Sequence, residues 1–156
     1  MGHRSGHGAG RPSRVACVFA AAVALVLVAS GCGGQEKQTL TVFAAASLSG
    51  PFTTLGRAFE ASHPGESVRF GFGDSQALAQ RIAQGTTADV FAASGEPAMR
   101  RSGAPTSRVF ARDGSGDYLI GAAPETAHLV LAREFIDLVL SDEGRRALAG
   151  AGLTPV

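Results

Sequence analysis

The chain has 156 residues, of which 45% are hydrophobic and 17% charged, and its 14 basic and 13 acidic residues nearly cancel. No basic stripe with interleaved aromatics runs through it, so nucleic-acid binding has no footprint. His3 and His7 have helical i, i+4 spacing but lie in the basic N-terminal segment expected to be removed, and His63 and His128 are isolated, so a structural metal has no support.

Met1–Arg14 is basic through Arg4, Arg11 and Arg14 and contains no acid. The uncharged run Val15–Ala29 follows, so the start of the chain reads as a secretory signal. Its end, Ala29-Ser30-Gly31-Cys32, resembles a bacterial lipobox, in which the cysteine becomes the lipid-modified first residue. On that reading 1–31 is a lipoprotein signal, Cys32 is the lipid attachment point and 32–39 is a tether. The competing reading is a lone transmembrane anchor over Val15–Gly34. Cys17 would leave with the signal, so no pair remains to form a disulfide. The processed chain would carry 11 basic and 13 acidic residues.

Leu40–Gly50, LTVFAAASLSG, reads as a buried strand that runs through three alanines into Ser47 at the mouth of a helix. Alanines leave room for close approach to the backbone, and a helix N-terminus offers unpaired amides and the positive end of its dipole. Ser47 is therefore either a helix cap or a donor to an anion. Phe52, Leu55, Ala58 and Phe59 then recur at helical steps over Pro51–Ser62, until His63-Pro64-Gly65 stops the helix. Ser67–Phe72 alternates Val68, Phe70 and Phe72 with smaller or polar residues, as a strand does. Gly73-Asp74-Ser75 turns the chain into a helix over Gln76–Gln84, and Ala88–Ala93 is a short buried strand. Strand–helix–strand–helix–strand predicts a parallel α/β sheet with right-handed crossovers. Such sheets bind ligands beyond the carboxyl ends of their strands, so Ser47 and Ser75 fall on one edge as a cradle of neutral donors for a small oxyanion.

The segments LTVFAAASL, VRFGFGDSQALAQRI and GTTADVFAAS closely resemble the N-terminal lobe of the molybdate-binding proteins of ABC importers. The resemblance covers about Leu40–Met99. It implies a type II periplasmic-binding-protein-like fold, two lobes closing over molybdate or tungstate, and oxyanion ligation by Ser47 and Ser75. It implies no cofactor, a permease and its ATPase subunit as partners, and an extracytoplasmic protein; with the lipobox-like segment, the expectation is an exported protein held by lipid through Cys32 at the outer face of the membrane. Asp89 of ADVF reads as a structural residue rather than a ligand.

Further along, Glu125–Leu140 carries helical spacing, and Ser141-Asp142-Glu143-Gly144 opens a last helix with Ser141 as its cap. Tyr118, in DYLIGA, reads as part of a return strand and is not assigned as a ligand. The expected organisation is an N-terminal α/β lobe over 40–99, an irregular junction over 100–117 replacing most of the second lobe, and a C-terminal strand and helices over 118–156. The chain thus reads as a truncated or internally deleted α/β family member whose binding is impaired by the missing lobe. Two alternatives stand beside this reading. One is a lipoprotein remnant that binds nothing. The other is a serine esterase of GDSL type using Ser75 in Gly73-Asp74-Ser75, for which His128 is the nearest histidine, in a helix start with the wrong acid.

Overall fold

The computed structural model describes residues 37–156. The expected signal and Cys32 lie outside the described residues. Among those residues no helix is long and apolar enough to cross a membrane.

Thr39–Ala45 forms strand β1, and a single 3-10 turn, Ala46–Leu48, leads into helix α1, Ser49–Ser62. Helix α1 buries Phe52, Leu55 and Phe59, the spacing visible in the sequence, and ends where Ser62 and His63 turn back onto the Phe59 carbonyl. Strand β2, Ser67–Gly73, lies parallel to β1, and helix α2, Ser75–Ala83, leads to strand β3, Val90–Ser94, parallel to β1 on its other side. Gly56 of α1 is needed for close packing on β2, because a Cβ there would sit 2.6 Å from the Phe70 ring.

The interval 100–117, expected to be irregular, is ordered. Helix α3, Glu96–Ser102, occupies its start, strand β4, Arg108–Asp113, its centre, and strand β5, Gly116–Ala122, its end. The sheet is also mixed rather than wholly parallel. Its order is β2-β1-β3-β5-β4-β6, with β5 inserted between β3 and β4 and antiparallel to both. The physical reason is the connection: β4 and β5 are joined by the tight hairpin Asp113–Gly116, whose last residue has φ 140°, and a hairpin joins only antiparallel strands. Tyr118 does lie on a return strand, as read from DYLIGA.

Helix α4, Leu129–Leu140, starts four residues later than the expected span, which begins at Glu125. The preceding side chains are used otherwise: Thr126 Oγ1 accepts the His128 amide, and both side chains bond to Asp89. Ser141 caps helix α5, Asp142–Gly150, by accepting the Gly144 amide at 3.3 Å, as expected. A two-residue strand β6, Thr154–Pro155, closes the sheet edge against β4.

Alternation along the strands divides the core between the two sheet faces. Leu40, Val42, Val90, Ala92, Phe110 and Ile120 pack under α1, α4 and α5. Phe43, Phe91, Ala93 and Leu119 pack under α2 and α3 with Leu78, Ile82 and Met99. The carboxyl ends of β1, β2, β3 and β4 meet at one edge, and β5 begins there.

Candidate functional site

Ser47 lies in the 3-10 turn at the carboxyl end of β1 and is exposed. It does not cap the turn, which has no side-chain cap. Its Oγ lies instead 3.0 Å from the Tyr118 hydroxyl, 71 residues away in sequence. Ser75 is the first residue of α2 and is buried. It is not a cap either, because Asp74 holds that position and accepts the Ala77 amide at 2.9 Å. The Ser75 Oγ accepts the amide of Ser94, the last residue of β3, at 3.0 Å. Ser94 and Tyr118 face each other across the β3–β5 ladder. The two serines are thus tied to adjoining strand positions on the same sheet edge.

Tyr118 and Asp113 are the members of this cluster that sequence reasoning missed. Tyr118 is only 3% exposed, yet its hydroxyl reaches the edge, where it donates to Asp113 Oδ2 at 2.7 Å. An ionised carboxylate only accepts, so the tyrosine proton is spent on Asp113 and the Ser47 hydroxyl is the donor to the tyrosine oxygen. The other Asp113 oxygen accepts both the Ser115 hydroxyl and the Ser115 amide within the hairpin. Ser115 first, then Tyr118, hold the Asp113 carboxyl down to a pKa of about 2 from an ordinary 3.8.

The sign of the resulting pH dependence follows. A carboxyl depressed in the folded state adds stability above its unfolded pKa and loses it as pH falls toward about 2. Between pH 5 and pH 2 the difference in melting temperature between the parent and Asp113→Asn is therefore expected to shrink. Scanning calorimetry across that range checks it, and a constant difference would count against the hairpin bonds as its cause.

A shallow depression of about 490 Å³ lies nearby, lined by Gly95, Glu96, Val109, Gly116, Asp117 and Leu119. It includes neither serine, and its two carboxylates disfavour an anion. Among the described residues no group of three or more His, Cys, Asp or Glu side chains is placed to hold a metal cation.

Asp89 lies at the opposite ends of the strands, just before β3. It accepts the Thr41 amide at 2.7 Å, the Thr126 hydroxyl at 2.7 Å and His128 Nδ1 at 3.1 Å, and is 6% exposed. This geometry also answers the esterase reading. Ser75 bonds to the last residue of β3 and His128 to the residue before its first, so five strand residues, roughly 16 Å, separate them. His128 is not within reach to serve Ser75 as a base.

Residues 40–109 match the model of the bacterial extracellular solute-binding protein family. The chain is related to these proteins. Over 58 residues it is 50% identical to the molybdate-binding protein ModA of Mycobacterium tuberculosis, an alignment covering 37% of this chain and 22% of the relative. The chain thus spans about a fifth of that relative's length. In fold it is similar to the substrate-binding domain of a putative molybdenum ABC transporter from Clostridium difficile, with TM-score 0.68 and 12% identity over 76% of this chain and 99% of that one. It is likewise similar to the periplasmic molybdate-binding protein of Azotobacter vinelandii, with TM-score 0.64 and 11% identity over 74% and 98%. The chain is thus similar to molybdate-binding proteins over part of its sequence and shares the α/β fold of these solved structures. A structural match reaching across 99% of the Clostridium domain does not support the expectation of a truncated or internally deleted fold.

Proposed function

We propose that the protein is an exported solute-binding lipoprotein that takes up molybdate or tungstate for an ABC permease and its ATPase subunit. Cys32 would hold it by lipid to the outer face of the membrane. Ser47 and Ser75 are the proposed oxyanion ligands. The observation that carries the reading is their convergence: through Tyr118 and Ser94, cross-strand partners, both serines are anchored to one strand edge. The Ser75 hydroxyl uses its oxygen to accept from Ser94 and keeps its proton for a ligand. Of the first amides of α2, that of Ala77 is taken by the Asp74 carboxylate, and those of Ser75 and Gln76, which have no partners within the helix, add donors on the same side. Neutral donors of this kind solvate a dianion without a permanent charge that would hold it too tightly. Ser47 is exposed, so an ion bound there keeps part of its hydration, and weak binding is the expectation from this edge alone.

The test is a thermal shift of the chain purified in detergent, with molybdate against sulfate as control. A ligand that binds only the folded state stabilises it by RT ln(1 + [L]/Kd), about 2.7 kcal/mol at a hundredfold excess over Kd. A molybdate-specific rise is expected. Ser47→Ala and Ser75→Ala should each weaken binding about tenfold to a hundredfold, since a hydrogen bond to a charged group contributes roughly 1.5–3 kcal/mol. A cooperative melt indifferent to molybdate favours the remnant reading instead.

A further inference from the structure

We propose that Asp113, at the tip of the β4–β5 hairpin, is an intramolecular competitor of the oxyanion: its carboxylate occupies the donors of the site edge and lowers anion affinity until it is displaced. This rests on the oxyanion reading of Ser47 and names the residue that tunes it.

The argument begins with proton counting. Three groups stand in a row, Asp113 Oδ2, Tyr118 Oη and Ser47 Oγ, linked at 2.7 and 3.0 Å. They hold two protons between them, and the carboxylate orients both: Tyr118 donates to Asp113, and Ser47 donates to Tyr118. The serine therefore presents lone pairs outward, the wrong polarity for an anion. To donate to an oxyanion, Ser47 must turn its proton away from Tyr118. The tyrosine proton, the other donor within reach, is already held by a charged acceptor, and such bonds are about twice as strong as neutral ones.

The second part is electrostatic. Asp113 is two hydrogen bonds from Ser47, and none of the ion pairs among the described residues neutralises it. The neighbouring Arg112 is used by Asp117, at 2.6 Å. A dianion at Ser47 thus approaches an uncompensated negative charge well inside one screening length. The hairpin amide and hydroxyl of Ser115 hold the carboxylate in place, so the repulsion is built into the turn.

The chain's own composition supplies a reporter. Tyr118 is the single tyrosine and there is no tryptophan, so the intrinsic emission of the protein comes from this cluster alone. The experiment measures molybdate affinity of the full chain in detergent by titration calorimetry, beside tyrosine emission, for the parent, Asp113→Asn and Ser47→Ala. Asp113→Asn removes the charge and is expected to tighten molybdate binding about tenfold, with a smaller gain at high salt. Tyrosine emission should change on molybdate addition to the parent, as Ser47 releases Tyr118, and should not change in Ser47→Ala. An unchanged or weaker affinity in Asp113→Asn, with the parent binding, overturns the competitor role while leaving the oxyanion reading intact. Failure of both parent and Asp113→Asn to bind molybdate, with cooperative melts, overturns both.

Discussion

Phe135→Ala is expected to lower the unfolding free energy by about 3–5 kcal/mol, the usual cost of deleting a fully buried phenylalanine. Phe135 is 0% exposed and stands where α4 meets both α1 and β2. Its ring meets Phe59 edge-on at 5.6 Å, Phe52 edge-on at 5.9 Å and Phe70 tilted at 6.2 Å. Edge-to-face pairs add to burial because the positive ring edge meets a negative ring face. Removing the ring leaves three aromatic neighbours facing a void that a helix anchored at both ends closes only in part. For a domain stable by about 5–15 kcal/mol, the loss is a large share of the total. Urea unfolding checks it: the midpoint should fall with the slope unchanged. Val130→Ala on the same helix is the contrast. Val130 is 70% exposed, and a change within about 0.5 kcal/mol is expected. Equal small losses in both variants would mean that α4 does not pack on this sheet.

Asp89→Ala should be nearly as costly, about 2–4 kcal/mol, for a different reason. The Asp89 carboxylate ties β1, through the Thr41 amide, to the entry to α4, through Thr126 and His128, beside the bond from the Asp89 amide to the Thr41 carbonyl at 2.8 Å. Alanine leaves the Thr41 amide and the two side-chain donors without their acceptor, and a buried unsatisfied donor costs roughly 1–3 kcal/mol. The Ala123 amide also bonds to the Asp89 backbone carbonyl, at 2.9 Å, and that bond survives the substitution. The loss therefore measures the carboxylate alone. Asp89→Asn keeps one accepting oxygen and should lose less than Asp89→Ala. The reverse order would refute the bonding scheme. Because this staple lies at the far ends of the strands, neither variant should alter molybdate affinity measured below its melting temperature, whereas Ser47→Ala should.

The two sets of residues separate cleanly in what their local pattern could reveal. Phe52, Leu55 and Phe59 follow the helical repeat, and Val68, Phe70 and Phe72 the strand repeat, so α1 and β2 were readable from the chain. Asp89 was readable as structural because it stands at a strand start in ADVF, although its partners were not. Strand β4 escaped because a register irregularity between Val109 and Ala111 places Phe110 and Ala111 both in the core and erases the alternation. Helix α3 has seven residues and β6 two, too short for any period to show. The placement of α4 was only partly readable: the periodic residues begin at Leu129, while the expected helical span begins at Glu125, and Thr126 and His128 within it spend their side chains on Asp89, which lies in a distant segment.

At the candidate site the division is sharper. The sequence by itself determined that Ser47 and Ser75 follow strands and precede helices, because strand–turn–helix grammar is local and places both on the carboxyl edge of a parallel set. It also carried the likeness to molybdate-binding proteins, which lies in contiguous segments. Only the tertiary structure decided what each hydroxyl does. Ser75 meets Ser94 across 19 residues, and Ser47 meets Tyr118 across 71 because β5 reverses at a hairpin and inserts beside β3. Hydrogen bonds act over about 3 Å, while the pattern in a sequence reports only which face a residue occupies. Which proton faces which oxygen is settled by the contact itself, and that contact exists only once the sheet has closed.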